Sequence, residues 1–566
     1  MIKITPVMFL FVVCLFVSYN VYSQNVILYQ DFSTCKGETP PKNWSNSGKT
    51  AKWLFRTGNF THDFTEVSYD GTFVGIHDEG NKNRESVRLE TEIFSLEGFK
   101  HVFLSFDLYF REFSYKDTVE KFSITISDDG GKTWDTVANI KGNPLYHKEY
   151  CDISRWAGNS EVKLCFNYSD NGTWGYGGFF DNVKVFEPKP VDVQLTDVKH
   201  SDYAVLNDSI YISGRVESVG SDTINSLEIA YSVNGGEVLT DKISGLTTSC
   251  FKGINFVHST PWVPNKMGRY NVEIWINKVN GQYNTVDNKH QLSLYGTKVV
   301  DRYIKRDVLL EVFAASWCTL CPDAGAKVKE IIDSVSNVIP VAIHIPNHKN
   351  DTSFLYKNGD PMYCNEGIDI CSYYHSNPGW LASGMIDRYL FVDENSIDLD
   401  RKVWAEHIYN RSESVSPVEL KLTHKYEASN RVLTVDITAE FACNLTGDFR
   451  FNCYIVEDSI EFDQHSWYCN PDRIPYYHND DWNSTVRKTE HITNFKHMNV
   501  LRGAIGGVHG VANSLPDKIK KGEKYKWRFN YQVPAEFNID NVKFIGIVKR
   551  GITQHEILNA KMAFIL

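Results

Sequence analysis

The chain has 566 residues, too many for one hydrophobic core, and at roughly 150 residues per domain it predicts about four domains. Its 70 acidic against 59 basic side chains leave a formal net charge of −11 with no long Lys/Arg run, which excludes nucleic acid as an electrostatic partner. A hydrophobic fraction of 42%, with 30 Tyr and 33 Phe, marks folded β-rich material rather than a disordered tail.

The first residues have the form of an export leader: Lys3 supplies positive charge, Val7 to Val17 form an apolar core, and Val21-Tyr22-Ser23 offers small residues for cleavage after Ser23. Cys14 lies inside that core, so a lipid anchor is not expected there. No later stretch reaches about 18 consecutive apolar residues, so the mature chain has no predicted membrane helix. The expected location is the cell surface or outer membrane, or secretion, with the periplasm as a further compartment. Of twelve cysteines, loss of Cys14 leaves eleven, so at least one is free or pairs between molecules. Proximity suggests Cys318 with Cys321, Cys364 with Cys371 and Cys151 with Cys165, while Cys443, Cys453 and Cys469 compete among themselves.

From 25 to 188 short alternating segments (VRLETEIFSL, HVFLSFDLYF, KFSITISD, VKLCFNYS, FFDNVKVFE), separated by Gly, Asn and Asp, predict an all-β sandwich. Its opening YQDFS and terminal GGFFDNVKVFE resemble the MAM-like jelly rolls of bacterial surface proteins and cleaved adhesins. The resemblance implies that Asp181 of the terminal motif and Asp31 of the opening strand can sit near a calcium ion; the other reading of such an Asp is a turn cap. Ser127 to Trp134 matches an Asp-box, in which carboxylates satisfy turn donors, Gly permits positive φ and Trp packs beneath the hairpin. Residues 189–297 predict a second sandwich, with hairpin signals at Asn234-Gly235-Gly236 and Asn280-Gly281. It resembles adhesion-related immunoglobulin-like modules and carries no catalytic grouping, so a spacer is expected.

Residues 298–413 hold the recognisable chemistry. An apolar run through Val308, Leu310 and Val312 leads into Trp317-Cys318-Thr319-Leu320-Cys321, after which Ala324, Val328, Ile331 and Ile332 recur at helical spacing. Strand, tight turn and helix with two thiols at the turn resemble the thioredoxin superfamily and its W-C-x-x-C site. That resemblance implies that Cys318, at the helix N-terminus, attacks a partner disulfide, that Cys321 resolves the mixed disulfide, and that a cis-proline, here Pro378, faces both. The position of the family's buried acid is Val312, and the neighbouring Glu311 is expected to face the other side of the strand. No second pair stands at zinc-ligand spacing, and His344, His348 and His375 read as surface or loop residues. The excursion from Pro346 to Tyr373 suggests a flap stapled by Cys364 and Cys371, or a regulatory thiol pair.

Residues 416–566 return to strands and predict a third sandwich. With HMNVLRGAIGGVHG in its middle and EILNAKMAF at its end, it resembles a family of outer-membrane proteins first named for a 28-kDa member, in which a thioredoxin-like domain precedes such a sandwich. The expected fold class is thus multidomain and mainly β, with one α/β thioredoxin-like domain. Two functions are consistent with it. One is thiol–disulfide exchange on protein thiols and disulfides through Cys318 and Cys321; the other is non-catalytic adhesion to a surface glycan or protein, with the same pair structural.

Overall fold

The computed structural model describes residues 25–565 apart from 59, 63–64, 68–70, 77–86, 111, 113, 116–117, 173–174, 176, 200, 250, 285–291, 347–358, 376–380, 392–393, 395 and 467–490. The export leader, Pro378, His348, Cys250 and Cys469 therefore lie outside the described residues.

The first region packs a six-stranded sheet, whose centre is Phe103–Phe110 beside Gly178–Glu187, on a five-stranded sheet centred on Lys121–Ser127 and Lys163–Ser169. The period-2 pattern does the sorting: Phe122, Ile124 and Ile126 are buried while Ser123 and Thr125 sit partly exposed on the other side. Aromatic rings fill the layer between the sheets, with Phe166 stacked on Phe180 at 4.4 Å and Trp53 edge-on to Phe180 at 5.2 Å. The Asp-box closes one hairpin as expected: the Asp129 carboxylate accepts from the Lys132 and Thr133 amides, and Trp134 Nε1 donates to the Gly131 carbonyl. The second region is also a sandwich, three strands on six, around Val216, Ile229, Tyr231 and Ile274. Phe251 joins the two regions by packing on Phe103 at 4.7 Å and Tyr150 at 5.1 Å.

The α/β part begins with β1 (Val308–Ala314), followed by α1 (Cys321–Ser334), β2 (Val338–His344), α2 (Asn365–Tyr374), β3 (Ser383–Ile386), β4 (Leu399–Asp400) and α3 (Trp404–Ser412). All seven residues of β1 are buried, as befits a central strand covered on both faces. It runs parallel to β2, with Val308 opposite Val338 and Ala314 opposite His344, and antiparallel to β3.

The sheet does not stop at the expected boundary between 413 and 416. It continues through β5 (Phe449–Glu457), β8 (Val500–Ala504), β9 (Val542–Arg550) and β10 (Ile557–Phe564) in the order β4-β3-β1-β2-β8-β5-β9-β10; β6 (Ile460–His465) and β7 (His491–His497) form a separate hairpin. The outer edge of β2 would otherwise present unpaired backbone groups. Here the Ala342 amide donates to the Asn499 carbonyl at 2.7 Å, and β8 lies parallel beside it. One core cluster accordingly contains Val312, Phe313 and Val341 together with Tyr454, Leu501 and Ile545. A three-stranded sheet (Val418–Glu427, Val432–Phe441, Lys524–Gln532) supplies the second layer of the C-terminal sandwich.

Candidate redox site

The burial of β1 fixes where the cysteine turn can go. The strand leaves the sheet at Ala315, the Cys318 amide donates back to the Ala315 carbonyl at 3.1 Å, and Cys318 and Cys321 form a disulfide with their Cα atoms 5.4 Å apart. Pro322 is tolerated because a first-turn residue needs no intrahelical N–H bond. Two details differ from the sequence expectation. Helix α1 starts at Cys321, which leaves Cys318 just ahead of its first turn. Cys318 is also the more buried of the two, at 6% exposed, whereas Cys321 is half-buried. Trp317 is buried beside them.

Val312 is apolar and buried, as read from the sequence, and Glu311 is committed elsewhere. Its carboxylate accepts from Arg388 Nε and Nη2, each at 2.7 Å, and from the Tyr454 hydroxyl at 2.9 Å, with Glu311 and Arg388 side chains both fully buried. An acid does stand next to the cysteine turn, but it comes from the middle of the long excursion. Asp360 is fully buried, and its Oδ2 accepts from the Ser316 amide at 2.6 Å and lies 2.7 Å from His344 Nδ1, while Oδ1 accepts from the Met362 amide. Burial alone would raise the Asp360 carboxyl, but the charge and hydrogen bond of His344 and the two amides outweigh it and hold the group below the ordinary carboxylate range.

His344 is thus buried, not a surface or loop residue; it ends β2 directly beside the end of β1. His375 is buried too, with Nδ1 2.5 Å from Asp398 Oδ2 and its ring against Phe313. A third histidine, His497 of β7, sits edge-on to His344 at 5.2 Å between ring centroids; burial, then the neighbouring His344, pull its pKa down to about 3. No spacing in the sequence links Asp360 or His497 to the cysteines.

The C-terminal hairpin also reaches the site. Gln464, 2% exposed, donates through Nε2 to the Cys318 carbonyl at 2.8 Å and to the Ala315 carbonyl at 3.3 Å. The next amide, that of His465, donates to the Ser316 carbonyl at 2.8 Å.

The remaining proposed cysteine pairs do not form. Cys364 caps α2 and Cys371 lies seven residues along it, so the helical rise separates them by about 10 Å, beyond disulfide reach. There is no staple at this excursion; both thiols are pushed up to about 12 by burial. Cys151 and Cys165 belong to opposite sheets of the first sandwich and are likewise unbonded. Cys443 and Cys453 are buried and unbonded.

At the proposed calcium position, Asp31 accepts from the Ser33 amide and hydroxyl, which lower its pKa, and Asp181 stands opposite Asp107 across two strands. The Tyr29 hydroxyl is raised by burial and, after it, by the charges of Asp31, Asp181 and Asp107. Among the described residues no group of three or more His, Cys, Asp or Glu is arranged to hold a metal ion.

Comparison with known proteins bears on the C-terminal half. Residues 377–565 match the family model Outer membrane protein Omp28. The Omp28 match opens just before β3 and runs through the sandwich, so it too crosses the expected boundary at 413–416. It upholds the resemblance to the 28-kDa family and the exported location at the outer membrane or cell surface. No curated protein matches in sequence. Among solved structures, HBP35 of Porphyromonas gingivalis is similar at 17% identity over 46% of this chain and 76% of its own, with a TM-score of 0.33. The K1 cleaved adhesin domain of Lys-gingipain from P. gingivalis W83 is similar at 14% identity over 28% and 96%, TM-score 0.20. A domain of the outer membrane lipoprotein Omp28 from P. gingivalis is similar at 12% identity over 27% and 90%, TM-score 0.16. The fold class is multidomain and mainly β, as expected.

Proposed function

We propose that this exported surface protein carries out thiol–disulfide exchange at Cys318 and Cys321, with the thioredoxin-like α/β part as the reactive element and protein thiols or disulfides as substrates. The observation that carries the reading is the Cys318–Cys321 disulfide between the end of the buried central strand β1 and the first turn of α1. The order β4-β3-β1-β2, with β1 and β2 parallel and β3 antiparallel, supports the same fold. In exchange, a thiolate attacks one sulfur of a disulfide and a mixed disulfide is resolved by the neighbouring thiol. The purified chain is expected to accelerate reduction of insulin by a small dithiol, and Cys318→Ser is expected to abolish that acceleration; equal background rates in both would end the proposal.

A second reading is favoured by the burial of Cys318 and by the two all-β regions that precede the site: adhesion to a surface glycan or protein, with the disulfide structural. The potential of the pair separates the two. A value below about −300 mV marks a structural bond, and a higher one an exchangeable bond. On the adhesive reading, deletion of residues 25–188 removes surface binding and Cys318→Ser leaves it intact.

A further inference from the structure

Two features of the cysteine turn bear on the roles of its sulfurs. The first is access. Cys318 is 6% exposed, and the turn that contains it is clamped on both sides: Asp360 takes the Ser316 amide from below, while Gln464 and His465 take the carbonyls of Ala315, Ser316 and Cys318 from the C-terminal hairpin. Gln464 is itself buried against it. Cys321 lies outside this clamp, half-buried, beside the half-buried Thr319 and Leu320. The second feature is electrostatic. Cys318 lies two residues before the N-cap Leu320, on the approach to the N-terminus of α1, where unpaired first-turn amides and the helix dipole favour a thiolate. Cys321, as the first helical residue, shares that end of the helix, so access is what separates the two sulfurs.

We propose that an outside thiol enters the pair at Cys321, and that Gln464 is the positioning residue that sets this order by closing the Cys318 side. The proposal rests on the exchange reading above and reverses the order implied by the thioredoxin resemblance. In the step, an outside thiolate attacks Cys321 Sγ, the Cys318–Cys321 bond breaks, and its electron pair leaves on Cys318 Sγ, which becomes the thiolate facing α1. The new bond joins the outside sulfur to Cys321. With a dithiol reductant, the second thiolate attacks the outside sulfur of that mixed disulfide and releases Cys321 as a thiolate; the dithiol is oxidised by two electrons and the protein pair reduced. Access at Cys321 selects this sequence of events, and the departing Cys318 thiolate is stabilised by the nearby helix N-terminus.

The test uses the full oxidised chain and glutathione. After a short incubation the reaction is quenched in acid, remaining thiols are alkylated, and the glutathione adduct is located by peptide mass analysis. The adduct is expected on Cys321 in about tenfold or greater excess over Cys318, and Gln464→Ala, checked for native near-UV dichroism, is expected to bring the ratio towards equality. A merely structural role for Gln464 would lower stability and leave the ratio unchanged. Adduct chiefly on Cys318 in the unaltered chain overturns the order while leaving exchange intact. Absence of adduct on either cysteine overturns the exchange reading and the order with it.

Discussion

Glu311 and Arg388 show at the scale of single residues how a titratable pair anchored on the strand that leads to the cysteine turn can be wholly structural. Both side chains are fully buried, and Arg388 also donates to the hydroxyls of Tyr374 and Tyr454 and to the Val508 carbonyl, so no donor is left for solvent or substrate. Removing one partner strands a buried charge. Glu311→Ala or Arg388→Ala is expected to cost about 3–5 kcal/mol in denaturant titration, whereas the double change to Met and Leu is expected to recover much of that loss. His497 gives a pH dependence of definite sign. Its folded pKa, about 3, lies below the ordinary 6.5, so the unfolded chain binds the extra proton between those values. The stability that neutral His497 contributes is fully present above pH 6.5 and is lost as pH falls towards 3. The groups facing it are His344, which lowers its pKa further, and Asp360, which raises it. His497→Gln is expected to flatten the fall in thermal midpoint across that window.

Among elements, β3 is held tightly against its neighbours. A Cβ on Gly384 would lie 2.6 Å from the Glu311 carbonyl oxygen and 3.0 Å from the Trp404 ring, and the backbone atom cannot yield. Gly384→Ala is expected to lower stability by about 1–3 kcal/mol, measured as a shifted denaturation midpoint, although alanine suits a strand no worse than glycine. The β6–β7 hairpin is the other decisive element. It lies more than a hundred residues from the cysteines along the chain, yet its Gln464 and His465 complete their hydrogen bonding.

For the whole molecule, the α/β part and the C-terminal sandwich form one cooperative body. The shared sheet is reinforced by a buried ionic group in which Asp387 bridges Arg306 and Arg411, and Arg411 reaches Glu556 at 2.6 Å just before β10. A fragment of residues 298–413 exposes the edge of β2 and loses the part of its core that Tyr454, Leu501, Ile545 and Ile557 supply, so it is expected to aggregate or remain unfolded; residues 298–566 are expected to unfold in a single transition by calorimetry.

Much was legible from local pattern alone: the three β-rich stretches, the Asp-box and the strand–turn–helix around Cys318 and Cys321. These rest on period-2 and helical spacing and on turn residues, which act within a few positions of the chain. What only the tertiary structure decided rests on contacts between distant segments. β8 pairing with β2, Asp360 taking the Ser316 amide, Glu311 spent on Arg388, Cys364 and Cys371 kept apart by a helix, and Gln464 closing over Cys318 all follow from which edges and buried polar groups had to be satisfied. An unpaired strand edge or buried amide must find a partner, and the sequence carries no local mark of which distant residue will provide it.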